Sequence, residues 1–185
     1  NKPGNVYLGL VHRLDRPVGG IMVFAKTSKA ASRLSEQIRT RSLERTYLAI
    51  VTNKGLQPSN TLVHYLYKDQ KQNKVFAVGS KTKGAKEAIL DYSVLYSMEN
   101  LSLVKAQLHT GRSHQIRVQF QAIGHPIYGD RLYGTQKFKH GQQIALWAYR
   151  IAFDHPTKKE TLEFSLDPPN TYPWSSIKFF FNGLK

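Results

Sequence analysis

Two short stretches of this chain concentrate side chains that could do chemistry. The first is Val11-His12-Arg13-Leu14-Asp15-Arg16-Pro17-Val18-Gly19-Gly20, where one carboxylate stands between two arginines. Pro17 disfavours helical geometry at Arg16, and the paired glycines permit a tight backbone that approaches its neighbours closely. Asp15 is thereby presented on a bent, constrained loop. An ionised carboxylate held this way can act as a nucleophile or a general base. The plainer alternative is an acceptor that salt-bridges a turn.

The second stretch is His109-Thr110-Gly111-Arg112-Ser113-His114-Gln115-Ile116-Arg117. It reads as the entry into a helix, and helix N-termini bind anions through free backbone N–H groups and the macrodipole. Two arginines and two histidines make it a good phosphate or carboxylate site. Arg117 could also pair with a buried carboxylate such as Asp15. An ordinary basic first turn on a surface helix is the alternative. Tyr47, two residues after Arg45, sits inside the apolar run Thr46 to Val51. Its ring either packs in the core or stacks on a nucleobase.

Other chemistries find less support. His12, His109, His114, His125 and Asp15 are possible metal ligands, but no HExxH or similarly compact spacing joins them, so no metal site is expected. Lys83-Gly84-Ala85-Lys86 lacks the spacing of a phosphate-binding loop, and no Gly-x-Ser-x-Gly elbow supports a serine triad.

The elements that must hold these residues can be read from periodicity. Ile21 to Ala25 reads as a buried strand, followed by a helix capped at Thr27 or Ser28 with Ala31, Leu34 and Ile38 on one face. Tyr47 to Val51 is a strand. Thr61 to Tyr67 and Lys74 to Val78 make one hairpin, and Ala88 to Tyr96 and Leu101 to Leu108 a second. In the next helix Ile116, Phe120 and Ile123 form the apolar stripe, with Ser113 as N-cap and Gly124 as stop. Ala145 to Phe153 and Thr161 to Leu166 are late strands. The aromatic residues Trp147, Tyr149, Phe153, Phe164, Tyr172, Trp174 and Phe179 to Phe181 read as core and edge. The expected fold class is α+β, a mixed and largely antiparallel sheet with a few flanking helices.

Composition narrows the partners. The 185 residues show no linker, repeat or composition shift, so residues 1–185 are expected to form a single catalytic domain. Lys+Arg 27 against Asp+Glu 12 gives a net charge of +15, with basic residues spread from Lys2 to Lys185. That field suits a polyanion, and without a basic amphipathic helix nucleic acid is favoured over a membrane surface. A basic face that only confers solubility is the alternative. No run approaches the roughly 18 apolar residues that span a bilayer. With no Cys, disulfides and thiolate chemistry are excluded. No signal peptide is visible, so the expected location is the cytoplasm, with a monomer as the default state.

Taken in order, His12-Arg13-Leu14-Asp15-Arg16-Pro17, Phe24-Ala25-Lys26-Thr27, Arg45-Thr46-Tyr47-Leu48-Ala49-Ile50-Val51, His109 to Val118, and Gly124-His125-Pro126-Ile127-Tyr128-Gly129-Asp130 closely resemble the RluA-type pseudouridine synthases. The resemblance runs from Asn1-Lys2-Pro3-Gly4 to the strand around Leu146. It implies a pseudouridine synthase catalytic fold that isomerises uridine in structured RNA, ribosomal or transfer, without metal, nucleotide or organic cofactor. It further implies that Asp15 is the nucleophile, that Tyr47 stacks on the flipped uracil and assists proton transfer at C5, and that Arg117 pairs with Asp15. By the same resemblance Arg16 holds RNA backbone or keeps the base out of the stack, and Leu146 floors the pocket. Arg13, Arg112 and His114 are expected RNA contacts. A base must leave its helix before chemistry can reach it, and a basic cleft offsets phosphate repulsion. The sequence departs from the family at Gln119, where His is frequent, and in a short Gly4 to Val11 stretch; no S4-type RNA-binding domain is visible. Two other readings stay open: a basic RNA-binding or ribosome-assembly protein without catalysis, and a nuclease using His114 and Asp15.

Overall fold

Apolar alternation broken by polar turns produces the long strands in the middle of the chain. The computed structural model describes residues 6–134, 142–158 and 160–177. In chain order its elements are β1 (Gly9–Leu10), β2 (Gly19–Gly20), β3 (Phe24–Ala25), α1 (Ser28–Arg39), β4 (Glu44–Thr52), β5 (Ser59–Asp69), β6 (Lys74–Val78), β7 (Lys86–Ser97), β8 (Leu101–Leu108), α2 (Gln115–Ala122), β9 (Leu146–Asp154) and β10 (Thr161–Ser165), then a short 3-10 turn at Trp174–Ile177. The main sheet runs β10-β9-β4-β8-β7-β5-β6, and β2 joins β9 as its one parallel neighbour. The fold is therefore α+β around a mixed, largely antiparallel sheet. Both expected hairpins form: β5 pairs with β6, and β7 with β8 across a bulge between Val94 and Tyr96.

β4 lies in the interior of the sheet, between β8 and β9, and every residue from Thr46 to Val51 is buried. Helix α2 covers it with Ile116 and Phe120, and Phe120 meets Tyr92 of β7 at 5.3 Å between ring centres. Helix α1 buries Leu34 in a second cluster with Ala25, Leu43, Ile151 and Phe153. The Thr27 hydroxyl caps α1 by accepting from Ala30 N–H.

Two local expectations are corrected. Ile21 to Ala25 is not one strand: only Phe24–Ala25 pairs, with β1, and Phe24 is exposed. Gly20, at φ +123, turns the chain, so Ile21 N–H reaches Ala148 O and Val23 N–H reaches His12 Nε2. Helix α2 starts after His114, not Ser113, because His114 takes the left-handed conformation at φ 52. Its far end closes as expected. Gly124, at φ +83, donates to Gln121 O, and His125 donates to Phe120 O, satisfying the last carbonyls.

Among the aromatics, Phe153 and Trp174 are buried, whereas Phe164 and Tyr172 lie exposed at the margin. Asn1 to Gly4 and Phe179 to Phe181 lie outside the described residues. No helix among the described residues is long and apolar enough to cross a membrane.

Candidate active site

Asp15 is held by its own loop. Val18 N–H closes a turn onto Asp15 O at 2.9 Å. The following glycines press onto β9: a Cβ on Gly19 would fall 2.3 Å from the Trp147 ring, and one on Gly20 the same distance from Ala148 O. No other residue type fits at Gly20, so Asp15 is tied to the start of β9, where Leu146 stands buried. The other end of the loop is tied by His12, whose Nε2 accepts from Val23 N–H at 3.1 Å. Burial, and then the nearby Arg45 charge, push the His12 pKa down, which favours this acceptor form.

Tyr47 and Arg45 come from β4. A bulge against β9 between Thr46 and Tyr47 breaks the register just where both side chains meet the site. Tyr47 is buried, and burial pushes its phenol pKa up, with Arg45 opposing and Asp15 adding to the rise.

Arg117 comes from the first turn of α2. Its Nε and Nη2 donate to the two oxygens of Asp130 at 2.8 Å each, and its Nη1 lies 3.6 Å from Asp15 Oδ2. Its side chain is 6% exposed and that of Asp15 26%, so the guanidinium is the fixed partner and the Asp15 carboxylate the accessible one. Burial works against the Arg117 charge, yet the Asp130 hydrogen bonds and the two carboxylates outweigh it and its pKa rises. Asp130 Oδ1 also accepts from Leu132 and Tyr133 N–H. The Tyr133 ring lies 5.0 Å from the Arg117 guanidinium carbon.

Tyr133 links this pair to His114. Its Oη accepts from Val75 N–H at 2.8 Å and shares a hydrogen bond with His114 Nδ1 at the same distance. Burial lowers the His114 pKa; Asp15 opposes this, and Arg117 and Lys68 reinforce it. The loop before α2 is organised by the buried Gln115. Its Oε1 accepts from Thr110 Oγ1 and Arg112 N–H, and its Nε2 donates to Ile89 O.

One cavity is lined by Arg13, Asp15, Arg45, Tyr47, Arg112, His114, Arg117 and Leu146. It thus gathers every site residue expected from the sequence except Arg16. Arg16 is exposed and lines the adjoining depression with Pro17, Gly129 and Asp130, because the turn at Asp15 points it away. Arg112 is held by its Nε donating to Glu87 O at 2.8 Å. Beyond it a groove continues past Lys68, Lys71 and Lys86. The expected Arg117 to Asp15 pair exists, but the two-point partner of Arg117 is Asp130. Sequence reasoning assigned no role to Asp130, Tyr133, Gln115 or Arg45; the only signals were Gly129-Asp130 at the end of a motif and Arg45 before Tyr47. The five groups weighed as metal ligands are engaged elsewhere, His109 with Asp91 and His125 with Thr52 O, and no cluster of three such groups occurs among the described residues. At Gln119 the amide is buried and donates to Leu62 O and Ala88 O, tying α2 to β5 and β7.

The fold also matches solved structures. Human RNA Pseudouridylate Synthase Domain Containing 4 matches with a TM-score of 0.77 at 25% identity, over 94% of this chain and 76% of that one. A family model described as RNA pseudouridylate synthase matches residues 1–122, and the chain belongs to that family. An uncharacterized RNA pseudouridine synthase of Aquifex aeolicus is 36% identical over 174 residues, 89% of this chain and 54% of the relative. Ribosomal large subunit pseudouridine synthase C of Haemophilus influenzae is 36% identical over 170 residues, 89% of this chain and 52% of the relative. The chain spans about half the length of the curated relatives it matches.

Proposed function

We propose that this chain carries the catalytic part of an RNA pseudouridine synthase, with Asp15 as the nucleophile. The observation that carries the reading is the accessible Asp15 carboxylate 3.6 Å from the buried Arg117, in a cavity walled by Tyr47 and Leu146. A uracil flipped out of its helix would lie between Tyr47 and Leu146, with its ribose C1′ toward Asp15. Asp15 attacks C1′ or removes the C2′ proton. The N1–C1′ bond breaks and the base turns; C5 bonds to C1′ as the Asp15–C1′ bond breaks or Asp15 returns the C2′ proton, and the C5 proton then leaves with help from Tyr47 while N1 takes up a proton. Uridine and pseudouridine are isomers, so the reaction consumes no oxidant or reductant and is proposed to need no cofactor.

Arg13, Arg16, Arg112 and His114 are proposed to hold the RNA strand around the flipped nucleotide, and the lysine groove beyond Arg112 suits further phosphates. The names of relatives such as ribosomal large subunit pseudouridine synthase C make ribosomal RNA the first substrate to test, with transfer RNA the second. Incubation with 5-tritiated-uridine transcripts of each should release tritium, and Asp15→Asn should stop the release. A variant that keeps the wild-type rate would remove Asp15 from the mechanism. Salt-dependent binding with no tritium released would instead favour the non-catalytic RNA-binding reading.

A further inference from the structure

Four arginines line the cavity; Arg13 is exposed, and the other three have unlike surroundings. Arg117 is paired with Asp130, and Arg112 donates to a main-chain carbonyl. Arg45 has neither kind of partner. Its Nε is buried without an acceptor, and no described carboxylate lies within ion-pair distance of its guanidinium. Burial pushes its pKa down. On β4, Glu44 pairs with Arg150 instead, and burial keeps the Tyr47 phenol protonated, so neither neutralises it. Arg45 is half-buried, with its Nε shut off from solvent and no counter-charge beside it, so its place on the cavity wall suits a charge that arrives with a ligand.

Gly111 is part of that arrangement. A Cβ there would stand 3.0 Å from Arg45 Nη1, closer than ordinary contact, so the missing side chain leaves the space in which the guanidinium lies. Gly111 has no positive φ that would require glycine for the backbone. The geometry points to Arg45 as a substrate-contacting residue that carries the negative charge of the uracil while it is detached, with Gly111 seating it. This rests on the activity proposed above. Whether Asp15 adds to C1′ or takes the C2′ proton, the N1–C1′ electron pair stays with N1. The free base is then an anion, its charge spread over N1, O2 and O4. When C5 bonds to C1′ the C5 proton is released and N1 takes up a proton, so the base is neutral again and Arg45 returns to its unpaired state. A guanidinium already placed at the cavity wall stabilises that interval more than the neutral ground state, which makes its contribution catalytic.

The test uses Arg45→Gln, Arg45→Lys and Gly111→Ala, with single-turnover tritium release at saturating RNA, RNA affinity across a salt series, and thermal unfolding without RNA. Arg45→Gln should slow release by about 100-fold, as removal of one charge-stabilising donor does. Affinity and its salt slope should stay at wild-type values. Arg45→Lys should recover part of the rate. Arg45→Gln should unfold near the wild-type temperature, since the half-buried charge it removes has no carboxylate partner among the described residues. Gly111→Ala should slow the wild type but add nothing to Arg45→Gln. An unchanged saturating rate overturns the role. If affinity falls and the salt slope drops by about one while the rate holds, Arg45 binds a backbone phosphate instead. A wild type that makes no pseudouridine overturns the activity itself; a wild type that turns over beside an equally fast Arg45→Gln overturns this role alone.

Discussion

Arg117 spends its two best-placed donors on Asp130, at 2.8 Å each, and faces Asp15 with a third nitrogen at 3.6 Å. The guanidinium is thus anchored by a fully buried carboxylate and presented to an accessible one. Asp130 in turn is fixed by the main-chain N–H groups of Leu132 and Tyr133.

Asp130→Asn keeps an oxygen for those two N–H groups but removes the charge and sets an NH2 donor against Arg117 Nε–H. It should destabilise the fold by about 3–5 kcal/mol, because Arg117 is left buried without its paired carboxylate. Urea unfolding measures this. Tritium release should fall as well, in a protein whose Asp15 and Tyr47 are untouched. Unchanged stability would mean that Asp130 does not anchor Arg117.

Gln115→Ala takes the acceptor from Arg112 N–H and the better of two from Thr110 Oγ1, while Ile89 O keeps the N–H groups of His109 and Thr110. The cost should be about 1–3 kcal/mol per buried group left unpaired. Because these groups shape the loop that carries Arg112 and His114, RNA affinity should weaken along with stability. Circular dichroism melting and filter binding read the two effects separately.

Tyr47→Phe retains the buried ring and removes the hydroxyl. Stability and RNA affinity should stay near wild type, whereas conversion should slow by about 100-fold if the phenol takes part in proton transfer at C5. Equal conversion rates would restrict Tyr47 to stacking.

Acid should destabilise the fold before any carboxylate titrates. Burial lowers the pKa values of His12, His64 and His114 from the ordinary 6.5, so each is more easily protonated in the unfolded chain. Between the folded and unfolded pKa values the unfolded state binds more protons, so stability rises with pH there and is lost on acidification below about pH 6.5. Unfolding midpoints at about pH 7.5 and pH 5.5 should differ, with the lower one in acid. His64→Gln should narrow the gap without touching the cavity.

The strands and the main site residues were legible in the sequence because they rest on local rules. Alternation across Thr61 to Tyr67 and Lys74 to Val78 marks a hairpin whatever packs on it, and β5 and β6 follow that pattern. The apolar run Ile21 to Ala25 misleads because the φ of Gly20, not hydrophobicity, decides where the chain leaves β9. Ser113 satisfies the rule for an N-cap, but the buried Gln115 amide already takes Arg112 N–H and draws the loop into a left-handed residue at His114. Asp130 and Arg45 are invisible to such rules. A lone Asp after Gly129 and a lone Arg before Tyr47 look like solvated charges until tertiary packing buries one with a partner and the other without.

Tyr47 and Arg45 are mounted on β4, which is hydrogen-bonded along both edges, while Asp15, Arg112 and His114 are delivered by loops. The backbone beneath the cavity should therefore open last, and its amides should exchange with solvent among the slowest. The surrounding loops are free to change in length and sequence without loosening that floor. Under the proposed function, a change of RNA target would need replacement of the rim alone, with the residues on β4 kept.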